Sequence, residues 1–138
     1  MSLLLLAAVE VVAAIVIDLS EQRLRAFDAG GAPIYAALVS TGLPASPTPT
    51  GRFVIGSKYA ATSLVGDDYR TPVVPHVMCL AGGGLRPDAV CLHPAPWQDA
   101  ARQCYGVRRS HGCIRTSQAT ARWLFERTAL GTPVVIQE

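Results

Sequence analysis

The segment Ser110-His111-Gly112-Cys113-Ile114-Arg115 carries the residue types that nucleophilic catalysis needs. A cysteine becomes a useful nucleophile when a base or nearby positive charge favours its thiolate. His111 stands two residues before Cys113, and Arg115 stands two after it. Gly112 admits close approach of a second backbone, and its N–H can help to stabilise an oxyanion. A helix beginning near Ser117 would add its positive N-terminal end. One short stretch thus offers nucleophile, positive charge and oxyanion donors, the equipment of acyl transfer through a thioester.

A base must reach that thiol. If residues 110–115 are extended, His111 and Cys113 project on one side about 6.6 Å apart along the strand. Direct proton transfer needs about 2.6–3.2 Å between heavy atoms. His93, at the end of a separate predicted strand, can approach across a sheet without that constraint, so geometry favours it. His76, the third histidine, lies further upstream and reads as structural.

The scaffold that must position these groups reads as β-rich. A chain of 138 residues fits one domain, here 1–138 with its core over 14–137. Half of the residues are hydrophobic and 16% are charged, which supplies a core and excludes a disordered chain. Strands are expected over 14–19, 23–27, 34–40 and 52–57, where apolar and polar residues alternate or cluster between turn residues. Pro44, Pro47 and Pro49 forbid regular pairing in the loop 42–51. Two more strands, 73–80 and 89–93, flank the glycine-rich stretch 81–88. Segments 59–71 and 94–109 read as loops, the second long enough to act as a lid. Residues 117–129 are expected to be helical. Ser117 caps that helix, Ala121, Leu124, Phe125 and Thr128 share a face, and Gly131 sits at the C-terminal αL position. Residues 132–136 form a closing strand. The expected fold is a mostly antiparallel β domain with one substantial helix.

The cysteines number four: Cys79, Cys91, Cys104 and Cys113. Cys79 and Cys91 would face each other if 81–88 is a hairpin loop; a bridge and two buried free thiols are both open readings. The net charge is only +2, and Arg108-Arg109 is the sole basic pair, so no nucleic-acid footprint is present. The apolar run from Ser2 to Ile17 is broken by Glu10 and lacks the basic flank of a leader. No stable membrane span is expected. Residues 1–13 read as an extra strand or helix packed on the domain, with a leader remnant over Leu3–Val9 as the alternative.

His93 followed after sixteen residues by Ser110-His111-Gly112-Cys113-Ile114-Arg115 resembles the signature of the L,D-transpeptidase catalytic domain (YkuD-like) family. Ile15-Val16-Ile17-Asp18-Leu19 with Gln22-Arg23-Leu24 is similar to that family's opening hairpin. Ser40-Thr41-Gly42 and Thr48-Pro49-Thr50-Gly51-Arg52-Phe53 resemble its STG…TPTGxF stretch, and residues 131–136 its closing strand.

The resemblance implies a mainly β fold: a curved mixed sheet with the helix beneath the active site. It implies no cofactor, and it implies that Cys113 attacks the carbonyl between the third residue and terminal D-alanine of a peptidoglycan tetrapeptide stem. D-Alanine would leave, and the amine of a second stem would resolve the thioester into a 3→3 crosslink in the bacterial cell envelope. His93 would be the base, oriented by the Pro94 carbonyl. The Gly112 and Cys113 N–H groups would form the oxyanion hole, while Ser110, His111 and Arg115 would shape the pocket. Trp97 and Tyr105 would contact substrate from a lid over 94–109. The family usually sets its base in Ile-His-Gly, whereas this chain has Leu92-His93-Pro94. Two rivals stand beside this reading. An L,D-carboxypeptidase would hydrolyse the same bond, and Cys91, His93, His111 and Cys113 would suit a structural Cys2His2 zinc site.

Overall fold

The computed structural model describes residues 10–138; the reading of Leu3–Val9 lies outside the described residues. Within them run β1 (Ala14–Asp18), β2 (Arg23–Phe27), β3 (Pro33–Leu38), β4 (Gly51–Thr62), β5 (Val74–Ala81), β6 (Cys91–Pro94), α1 (Pro96–Ala100), β7 (Ile114–Thr116), α2 (Gln118–Arg127) and β8 (Pro133–Gln137). The strands form one mixed sheet ordered β3-β2-β1-β8-β4-β5-β6-β7. β1 with β8 and β6 with β7 are parallel pairs, and the other neighbours are antiparallel. The fold is mainly β with one substantial helix, as expected.

Period-2 patterning explains the strands. Ile15 and Ile17 of β1, Leu24 and Ala26 of β2, and Val134 and Ile136 of β8 point into one buried cluster. Val12 precedes β1 and is tied to the end of α2 by its N–H on Arg127 O, 2.9 Å. After β3 the chain leaves one sheet edge and reaches the other. Ser40 and Arg115 exchange backbone bonds of 2.9 Å each way, and Leu43 N–H bonds to Ser110 O at 2.9 Å. The sheet therefore curls until its two edges meet beside β7, which positions the 110–115 segment.

α2 packs on β5 and β6 through Ala121 and Leu124, with Ser117 Oγ accepting from Thr120 N–H at 3.1 Å. Its end is held by Lys58, the only lysine in the sequence. The Lys58 ammonium donates to Phe125 O (2.6 Å) and Thr128 O (2.7 Å) and lies 4.3 Å above the Phe125 ring. Thr128 is extended, with φ −116°, so Gly131 is not the helix cap expected of it. Gly131 takes φ +86° in the turn before β8 and donates to Ile55 O, 2.8 Å. Two segments expected to be loops carry structure: β4 continues to Thr62, and α1 interrupts 94–109.

Candidate active site

Parallel pairing of β6 with β7 matches Leu92 to Ile114 and His93 to Arg115. That register leaves Cys113, the residue preceding β7, level with Cys91, two positions before His93 on β6. Both side chains line one cavity of about 20 Å³ with Tyr69, Trp97, Ser110 and Arg115. His93 is 3% exposed and Cys113 is 5% exposed.

His93 Nδ1 lies 2.7 Å from Pro94 O. A carbonyl only accepts, so Nδ1 carries the proton and Nε2 keeps its lone pair. Burial pulls the His93 pKa down to about 4, against the pull of the Pro94 carbonyl in the other direction. His93 is therefore a neutral imidazole at neutral pH. Burial pushes the Cys113 thiol up, while the Cys91 N–H, the Tyr69 hydroxyl and the Arg115 guanidinium draw it down. Cys91 N–H donates to Cys113 Sγ at 3.3 Å. The thiol and imidazole thus form a neutral pair, suited to proton transfer during attack rather than to a standing ion pair. Cys113 packs with Leu64, Val74 and Val77, whereas Leu124 of α2 belongs to the other apolar cluster.

Residues 110–113 are not extended, because Gly112 adopts φ +129°. Ser110, buried, donates from Oγ to Cys113 O (2.5 Å) and accepts from Gly112 N–H (3.1 Å). Gly112 N–H is thus engaged, and of the two amides expected to stabilise an oxyanion only that of Cys113 bonds to no protein oxygen among the described residues. Thr48 Oγ1 donates to Gly112 O, 2.7 Å, and accepts from Gly42 N–H, 2.9 Å. The proline-rich loop therefore braces the turn that carries Cys113.

Trp97 reaches the cavity, its ring 5.9 Å from His93 and under the Arg115 guanidinium at 5.5 Å. Tyr105 does not line it. The Tyr105 hydroxyl donates to Asp99 Oδ1 at 2.9 Å, and burial and that carboxylate push its pKa up. Segment 94–109, expected to be a loop acting as a lid, is anchored to the sheet. Gln98 is fully buried and donates to Ser40 Oγ (3.1 Å) and Cys104 O (3.2 Å). Beside Trp97, the cavity is also covered by 62–73, folded on itself through the Val65–Arg70 pairing. That segment delivers Tyr69, which lines the cavity with Cys113 and whose pKa is raised to about 12, chiefly by burial and then by the neighbouring Cys113. Tyr69 stacks on His111 at 4.7 Å. Sequence reasoning gave no site role to Tyr69, nor to Thr48 although it stands in the family-like stretch; an aromatic in an unpatterned loop was the only signal for Tyr69. His76 packs on Phe125, 5.3 Å between rings, away from the cavity. Beyond Tyr69 and His111 opens a cleft of about 600 Å³, walled by 62–69, the 86–89 loop and Ser46.

The zinc reading is overturned: the Cys91 sulfur is bonded to Cys79, and the His111 ring is stacked on Tyr69. The family model of the L,D-transpeptidase catalytic domain (YkuD) matches residues 13–136. The chain belongs to the L,D-transpeptidase catalytic domain family. It is 34% identical over 109 residues to the probable L,D-transpeptidase 3 of Mycobacterium tuberculosis, covering 72% of this chain and 37% of that protein. It is 26% identical over 116 residues to L,D-transpeptidase 2 of the same species, covering 77% of this chain and 26% of that protein. The chain thus spans well under half the length of these relatives. Among solved structures, an Enterococcus faecium L,D-transpeptidase superposes with a TM-score of 0.76 at 28% identity, over 91% of this chain and 49% of that one. The LD transpeptidase LdtMt1, solved in complex with imipenem, gives 0.74 at 25% identity, over 89% and 57%.

Proposed function

We propose that this L,D-transpeptidase domain, taken as one catalytic unit over 1–138, transfers a peptidoglycan stem acyl group from a tetrapeptide donor to an amine, through a thioester on Cys113. The observation that carries this is the shared cavity of Cys113 and a neutral His93 whose Nδ1 is fixed by Pro94 O. Nε2 takes the thiol proton as sulfur attacks the carbonyl before the terminal D-alanine. The Cys113 N–H is the donor placed for the oxyanion. The carbon–nitrogen bond then breaks, and His93 returns its proton to the departing amine of D-alanine. An acceptor amine attacks the thioester, His93 removes its extra proton, and the carbon–sulfur bond breaks to restore the thiol. The product is a 3→3 crosslink. Ser110 shapes the nucleophile's turn, and Arg115, His111 and Trp97 wall the pocket.

The substrate places the work in the bacterial cell envelope, and the Cys79–Cys91 bridge suits an oxidising compartment of that kind. Incubating the chain with disaccharide-tetrapeptides and weighing the products tests the reading. Crosslinked dimers with loss of D-alanine are expected; tripeptides alone would make it a hydrolase, and unchanged substrate would refute acyl transfer.

A further inference from the structure

Cys91 stands where two ladders stop short. On its β5 side the adjacent ladder bond runs from Leu80 N–H to Val90 O, 2.9 Å. Bonded and non-bonded pairs alternate along an antiparallel ladder, so the next pair, Cys79 with Cys91, is a non-hydrogen-bonded one. The Cys91 N–H therefore points away from β5 and toward β7. β7 pairs with β6 only from Ile114 onward. Where a longer strand would present a carbonyl, the Cys91 N–H meets the Cys113 sulfur at 3.3 Å. The tie between Cys91 and β5 at this position is the disulfide to Cys79. Cys79, Cys91 and Cys113 share one buried apolar cluster with Leu64, Val74 and Val77. Water does not compete there for the sulfur, so a single well-aimed N–H counts for more than it would at a surface.

We infer that the Cys79–Cys91 disulfide is a positioning element of the catalytic site, holding the Cys91 N–H on the Cys113 sulfur so that thiolate formation depends on an intact bridge. The inference rests on the reading of Cys113 as nucleophile. Burial opposes the thiolate, and the Cys91 N–H is the foremost influence working against burial. The same strand carries His93 two residues on, so slack at Cys91 is felt by the base as well. Reduction of the bridge by an external dithiol, itself oxidised to a disulfide as it delivers two electrons and two protons, leaves thiols at 79 and 91 and a less reactive Cys113, which couples activity to the redox state of the surroundings.

The test is made in a Cys104→Ser background, where Cys113 is the one free thiol while the bridge is closed. The rate of Cys113 alkylation by iodoacetamide is followed against pH. The bridged chain is compared with Cys79→Ala/Cys91→Ala and Cys79→Val/Cys91→Val, each checked for folding by circular dichroism. Without the bridge the alkylation midpoint should rise by about one pH unit, an approximately tenfold slower reaction at any pH below it. An unchanged midpoint in a folded bridge-free variant overturns the inference. If neither variant folds, the bridge is a stability element and the inference is likewise overturned. D-Alanine release by the bridged chain is measured separately. Its absence would sink the proposed activity without moving the alkylation result, and a normal release with an unmoved midpoint would sink only the role of the bridge.

Discussion

Burial makes His93 a better base than a surface histidine in one respect: at pH 7 almost none of it is protonated. An unfolded histidine titrates near 6.5 and the folded one near 4. Between those values the unfolded chain binds the extra proton, so stability rises with pH through this window and is complete above it. The contribution is at most about 3 kcal/mol. Thermal melts from pH 4 to pH 7 should show a steep acid slope that flattens in His93→Gln; parallel slopes for the two proteins would contradict the assignment. The acid limb of thioester formation should likewise fall nearer pH 4 than 6.5. Replacing the sulfur is the complementary test. A carbapenem should add its mass to the wild-type chain and leave Cys113→Ala unmodified, with unchanged circular dichroism. An adduct that survives Cys113→Ala would put the nucleophile elsewhere. Both residues were legible in the sequence because each lies at a strand end next to a distinctive local pattern. Tyr69 was not, since its place over the sulfur depends on 62–73 folding back, and no local periodicity encodes that.

Elements turn this pair into a site by what they brace. Segment 94–109 was expected to be a loop acting as a lid, and α1 within it is anchored by one buried amide. Pro96 starts the helix, where its missing N–H costs nothing. Gln98 then reaches Ser40 and Cys104 O, linking the lid segment to the sheet closure. Gln98→Leu should cost about 1–3 kcal/mol by stranding buried polar partners. Urea unfolding measures this, and a midpoint within error of wild type would show the anchor to be idle. The helical period of α2 and the alternation of β1, β2 and β8 could be read directly. The anchor could not, because a glutamine in a polar stretch looks like surface until Ser40 arrives from a distant edge. The fate of Cys79 and Cys91 was similarly half visible: their flanking of 81–88 suggested opposition, but only the register of β5 and β6 fixes it.

At the scale of the molecule, the decisive feature is that the chain after β3 crosses to β7 and ties the sheet's edges together. Local patterning announces neither the two parallel pairs nor this closure, since they join residues far apart in the chain; only the family resemblance implied a curved, mixed sheet. Gly42 sits at the seam. A Cβ there would meet Ser46 O and come within 2.8 Å of Thr48 N, in the loop that holds Gly112 through Thr48. Gly42→Ala should lower stability by about 1–3 kcal/mol, read as a shifted denaturant midpoint at constant m-value. It should also slow alkylation of Cys113. Loss of neither would mean the loop yields without disturbing the nucleophile's turn. One last feature reaches beyond the site. A protein that carries an activated acyl group is exposed to its own side-chain amines. This chain has a single ε-amine, and Lys58 spends it on two carbonyls at the end of α2 and an aromatic face. A thioester formed on Cys113 would thus find the one lysine of this sequence already engaged, and amine-directed labels should modify Lys58 slowly in the folded protein.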